Sequence, residues 1–76
     1  MIDRVKVLEL IRQHFSDDEL HELCYRLDIN YEDLPATGKA GKARELVEYA
    51  ERHGLLPELI ATCRLLRPKA AWPDTN

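Results

Sequence analysis

Phe15-Ser16-Asp17-Asp18-Glu19-Leu20-His21-Glu22-Leu23-Cys24 carries the strongest structural signal in the chain. Ser16 followed three residues later by Glu19 is the pattern of a helix capping box. Phe15 and Leu20 occupy the two positions of a hydrophobic staple around it. Asp17 and Asp18 place negative charge at the helix start, where the backbone dipole favours it. Leu20, Leu23, Cys24 and Leu27 then recur at helical spacing, which predicts an amphipathic helix ending near Leu27 or Asp28.

Working outward, the same period appears on both sides. Upstream, Val7, Leu8, Ile11 and Phe15 fall on one stripe of a helix from about Asp3 to His14, with Glu9, Arg12 and Gln13 turned away. Downstream, Asn30 caps a short turn through Tyr31, Glu32, Asp33 and Leu34, and Pro35, Thr37 and Gly38 form a loop. A longer helix is predicted from about Lys39 to His53, with Ala43, Leu46, Val47 and Ala50 inward. Gly54 followed by Leu55 is the ending a Schellman motif prefers. Pro57 suits the first position of another helix. Its buried stripe is Leu59, Ile60, Cys63 and Leu66, and Pro68 stops it. Trp72 is expected to fold back onto the core, and residues 73–76 to fray. No stretch alternates with period two. The expectation is an all-α fold, a small antiparallel bundle of five to six helices over residues 1–72.

A length of 76 residues allows one domain, excludes a two-domain enzyme and disfavours a deep substrate cleft between layers. Hydrophobic residues at 45% exclude a disordered chain. No apolar run reaches the ~20 residues of a membrane span. Asp3, Arg4 and Lys6 interrupt the opening, so no signal peptide is expected. Cys24 and Cys63 lack CxxC spacing and lie on apolar stripes, the pattern of buried thiols in a reducing cytoplasm. His14, His21 and His53 pair with no ligand at metal-binding spacing, so neither a metal nor a cofactor is expected. Nor does any nucleophile stand beside a base, and we expect no enzyme activity. The run Ala36-Thr37-Gly38-Lys39-Ala40-Gly41-Lys42-Ala43 resembles a phosphate-binding loop only superficially. Ala36 and Ala43 stand where that motif needs Gly and Ser or Thr, and no strand precedes it. Lys39 and Lys42 still leave anion binding open at that helix start.

Charge is unevenly spread. Residues 17–33 hold Asp17, Asp18, Glu19, Glu22, Asp28, Glu32 and Asp33 against the single base Arg26. Residues 39–69 hold Lys39, Lys42, Arg44, Arg52, Arg64, Arg67 and Lys69 against four glutamates. A small body with an acidic flank and bases elsewhere can dock head to tail with a copy of itself. The expected interface residues are Asp17, Asp18, Glu22, Glu32 and Asp33 on the acidic side. Lys39, Lys42, Arg44 and Arg52 stand on the basic side. Tyr25 and Tyr49 lie opposite the buried stripes of their helices, and Tyr25 is the expected aromatic contact. The alternative is a helix-turn-helix-like DNA-binding domain, with Lys39, Lys42 and Arg44 on phosphates. Against it, Glu45, Glu48 and Glu51 share that helix surface and repel the DNA backbone, and the mildly acidic balance disfavours nucleic acid.

Taken in order, Phe15 to Cys24, Asn30-Tyr31-Glu32-Asp33-Leu34-Pro35, Gly38-Lys39, Lys42-Ala43-Arg44-Glu45-Leu46-Val47, Arg52-His53-Gly54, Glu58-Leu59 and Leu66-Arg67-Pro68 resemble the bacterial death-like, or effector-associated, domains. The set is distantly similar to death effector and pyrin domains, and the resemblance covers roughly residues 5–72. It implies a death-fold bundle and a non-catalytic adaptor in bacterial effector and immune signalling. Such an adaptor pairs with like domains and brings together attached proteases or nucleotide-binding effectors. The sequence departs from the pattern in lacking a clear sixth helix, because Pro68 and Pro73 bracket too few residues. It ends at Asn76 without an effector, as a piece of a longer protein or a free-standing adaptor would.

Overall fold

Ser16 and Glu19 close the expected capping box: the Ser16 hydroxyl accepts from the Glu19 N–H at 3.3 Å and the Glu19 carboxylate accepts from the Ser16 N–H at 2.8 Å. Phe15 and Leu20 are both buried as the staple requires. The computed structural model describes residues 2–73. From this start it builds four α-helices: α1 (Arg4–His14), α2 (Asp17–Arg26), α3 (Gly38–Arg52) and α4 (Leu56–Leu66). A single 3-10 turn, Tyr31–Asp33, lies between α2 and α3, and the described residues contain no strand.

The helix count corrects the expected five to six. Asn30 does cap the segment after α2, its side chain accepting from the Glu32 N–H at 3.0 Å. Pro35, two residues beyond the turn, cannot continue a helix and disfavours helical backbone at Leu34, so only one turn forms. Beyond Pro68 the chain makes a turn and then docks Trp72, which is buried and donates its indole N–H to the Arg67 carbonyl at 2.8 Å. No helix follows α4 among the described residues. At Pro73 the backbone carbonyl accepts from Arg64 at 2.9 Å. Residues 74–76 lie outside the described residues.

Two helices end in Schellman motifs. After α3, the Leu55 N–H reaches the Ala50 carbonyl at 2.7 Å and the Gly54 N–H the Glu51 carbonyl at 3.3 Å, with Gly54 at φ 69°. After α2 the same pair of bonds runs from Ile29 to Cys24 and from Asp28 to Tyr25. The left-handed position is held there by Asp28, at φ 59°. Aspartate tolerates that conformation better than most residues but less well than glycine.

The central element is α3, which packs against α1, α2 and α4. Ala43, Leu46, Val47 and Ala50 face inward from it and meet Val7, Ile11, Leu20, Leu23, Leu59 and Ile60 in one cluster. Leu66, expected in the core, is only half-buried at its edge. Gly41 fits where α3 passes the preceding loop: a Cβ there would stand 2.8 Å from the Cβ of Ala36. The glycine therefore serves helix–loop packing.

Candidate functional site

On α2, Asp18, Glu22 and Tyr25 stand at spacings of four and three residues and so share one helix face. Tyr25 is 82% exposed. Glu22 pairs with Arg26 at 2.8 Å, and Asp18 has no ion-pair partner among the described residues. Asp17 behaves differently. It accepts a hydrogen bond from the Tyr31 hydroxyl, which ties the first turn of α2 to the 3-10 turn carrying Glu32 and Asp33. The His21 ring stacks on Tyr31 with centroids 3.6 Å apart. Partial burial, and then the bond to Asp17, push the Tyr31 phenol up to about 12. The expected acidic residues are thus carried by two adjoining elements. Glu32 and Asp33 are exposed, and Asp17 is both exposed and structurally engaged.

The expected basic side is looser, and one member leaves it. Lys42 is buried. Its ammonium donates to the Leu34 carbonyl at 2.6 Å and the Tyr31 carbonyl at 3.0 Å, and lies 4.7 Å from the Tyr31 ring centroid. It clamps the 3-10 turn onto α3 and presents no charge to a partner. Anion binding at the start of α3, left open by Lys39 and Lys42 in the sequence, loses this cation for the same reason. Arg44 is exposed but makes ion-pair contacts with Glu45 at 3.3 Å and Glu48 at 3.8 Å. Lys39 and Arg52 have no carboxylate partner among the described residues. Tyr49, read as outward-facing, is half-buried, with its ring 4.2 Å from that of His53.

Arg67 looked like one base among several in the sequence. In the structure it joins three elements. Its guanidinium donates to the His14 carbonyl at the end of α1, pairs with the capping-box carboxylate of Glu19, and lies 4.7 Å from the Phe15 ring centroid. The Glu19 carboxyl is held below its ordinary value first by the Ser16 backbone N–H and then by Arg67.

Both thiols are buried. Burial pushes Cys24 up to about 11 and Cys63 up to about 12, so neither ionises readily near neutral pH. Among the described residues no three His, Cys, Asp or Glu side chains gather as a metal site would need. The concavities are open. A polar groove of about 660 Å³ runs beside Tyr25, lined by Glu22, Arg26, Asp28, Ile29 and Asn30. An apolar notch of about 210 Å³ lies between α1 and α3, lined by Val5, Leu8 and Val47 with Arg4, Arg44 and Glu48. Val5, which flanks the apolar stripe of α1, and Leu65 are the other large apolar side chains left exposed among the described residues. No described helix is long and apolar enough to cross a membrane.

A four-helix domain whose charged groups other than Lys42 reach its surface, with buried thiols and shallow notches, defines a small all-helical module. Its family follows from its sequence: the model of effector-associated domain 7 matches residues 7–68, from Val7 in α1 to Pro68 after α4. The chain belongs to the effector-associated domain 7 family, and is thus a module of effector systems. No curated protein and no solved structure gives a significant match.

Proposed function

We propose that this domain is a non-catalytic adaptor that associates with a like domain, as death-fold modules do, and so gathers an attached effector such as a protease or a nucleotide-binding protein. The observation that carries the reading is the outward face of α2. Tyr25 stands almost fully in solvent beside Asp18 and Glu22, with Glu32 and Asp33 on the adjoining turn. A large exposed aromatic within a charged rim is the usual composition of a binding anchor. Lys39 and Arg52, without a carboxylate partner among the described residues, supply bases for the opposite side of such a contact. Inert thiols and open notches fit a binding role better than a catalytic one. A cytoplasmic setting accords with two free cysteines that stay unpaired.

Protein rather than duplex DNA is favoured because burial withdraws Lys42 from any phosphate contact and Glu48 shares the surface of Arg44. The test is charge reversal at two acids outside the internal network. Asp18→Lys combined with Glu32→Lys leaves helicity unchanged and weakens association at least tenfold, read by sedimentation velocity. Undiminished association removes the acidic face from the interface. An electrophoretic shift with duplex DNA at low salt, vanishing steeply as salt rises, would replace the adaptor reading with the DNA-binding one.

A further inference from the structure

We propose that residues 69–73 form a strap, docked by one side chain, that opens and closes as a unit on a hinge at Pro68 while the four helices stay folded. The hydrogen bonds of the segment point this way. The Ala70 N–H donates to the Arg67 carbonyl at 3.2 Å, and the Trp72 N–H to the Ala70 carbonyl at 3.0 Å. The Trp72 indole N–H also returns to the Arg67 carbonyl, and the Pro73 carbonyl accepts from Arg64. All of these bonds close within residues 64–73, and among the described residues none ties the strap to α1, α2 or α3. Burial is equally one-sided. Trp72 is 8% exposed and lies over His14 and Phe15, with ring centroids 6.3 and 6.2 Å away. Lys69 and Ala71 are exposed, and Ala70 and Pro73 only half-buried. Withdrawing one indole therefore undocks the whole segment.

The seat is loosely filled. A notch of about 280 Å³ remains between His14, Leu66 and Arg67 on one side and Pro68, Lys69 and Ala70 on the other. A segment with one buried anchor and only local hydrogen bonds belongs to the low-stability end of a fold and opens before the rest. The root of the strap, by contrast, is fixed. The Arg67 guanidinium is held by the His14 carbonyl and the Glu19 carboxylate, so motion begins beyond it, at Pro68. Pro68 is also where the family match ends, so the four helices form the matched body and the strap lies outside it. Closed, the strap covers the ring of Phe15, the staple residue from which α2 starts. Open, it bares that corner and the Trp72 indole together. The strap is thus a removable cover on the joint that leads into the helix carrying Tyr25.

Trp72 is the single tryptophan of the chain, so its fluorescence reports on the strap alone. In a urea titration its emission shifts to the red at a lower concentration than the helical circular dichroism signal is lost. In native-state hydrogen exchange the Ala70 amide, the Trp72 amide and the Trp72 indole share one protection factor, about a hundredfold or more below that of Leu46 and Val47 in α3. Trp72→Ala imitates the open state. It keeps the far-ultraviolet spectrum and a cooperative unfolding transition, while the Ala70 amide loses its protection. Fluorescence and circular dichroism transitions that coincide overturn the proposal, as does protection at Trp72 equal to that of α3, because the segment then opens only with the whole domain. A Trp72→Ala chain that fails to fold overturns it too, by making the indole an integral part of the core. None of these readouts depends on self-association, so the strap and the adaptor reading stand or fall separately.

Discussion

Replacing Lys42 with methionine isolates what a buried ammonium does in a fold this small. The side chain is 8% exposed and has no carboxylate partner among the described residues. Its charge is satisfied by two backbone carbonyls, Leu34 at 2.6 Å and Tyr31 at 3.0 Å, and by the face of the Tyr31 ring. Methionine keeps most of the apolar stem and so leaves little cavity, but it removes the donor. Hydrogen bonds to a charged group are worth about 1.5–3 kcal/mol each, and the two carbonyls lose their partner together. Part of that loss is returned, because the ammonium no longer has to be taken out of water. We expect a net destabilisation of about 2–4 kcal/mol, against a total of roughly 4–11 kcal/mol for a domain of this length. Urea unfolding followed by circular dichroism measures the loss. Amide exchange at Glu32, Asp33 and Leu34 should accelerate in parallel, since their N–H bonds to Asn30 and Tyr31 define the clamped turn. A change below about 0.5 kcal/mol, the range of an ordinary surface substitution, refutes the reasoning and returns Lys42 to the exposed basic set.

Three further outcomes follow from the same structure. Glu19 has its folded value lowered by Ser16 and Arg67, so its carboxylate contributes stability above the unfolded value of about 4.3 and loses it as pH falls through the folded value. Glu19→Gln keeps the cap acceptor without the charge, so its urea midpoint lies below the wild type at pH 7 and converges with it as pH drops below about 4. Cys24 and Cys63, buried and raised to about 11 and 12, should resist iodoacetamide in the folded domain at pH 8 and react promptly in urea, read by mass spectrometry. Asp28→Gly relieves a left-handed backbone and should raise stability by about 0.5–1 kcal/mol in thermal unfolding. The same change removes an acid from the groove beside Tyr25 and should weaken self-association several-fold by sedimentation.

What was legible in the sequence was local. The capping box at Ser16 and Glu19, the staple of Phe15 and Leu20, the Gly54–Leu55 ending and Pro57 at the start of α4 each depend on residues within a few positions of one another. The effector-associated resemblance drew on the order of such signals along the chain, and the family match covers the same stretch. The misses are of another kind. Asp28 closes a Schellman motif without the glycine that advertises one. The short turn after Asn30 forms as its cap predicts, but Pro35 keeps it from adding a helix to the bundle. Lys42 was placed on the surface because lysine usually belongs there, and two carbonyls from an irregular segment leave no mark in a charge pattern. Arg67 meets His14 and Glu19, 53 and 48 residues away, which no periodicity encodes. The candidate surface divides the same way. Tyr25 and its acidic neighbours follow from helical spacing, whereas the bond from Tyr31 to Asp17 needs α2 and the 3-10 turn brought together.

Central to the account is a domain that works by binding its own kind through surfaces of opposite charge. Static light scattering of the purified domain, over a concentration series at low and at high salt, measures that directly. At 0.15 M salt charges are screened beyond about 8 Å, and at 1 M beyond about 3 Å. Mass that rises with protein concentration at low salt, and falls back toward the monomer as salt increases, is the result the account predicts. A monomer under every condition, or association that strengthens with salt, contradicts it.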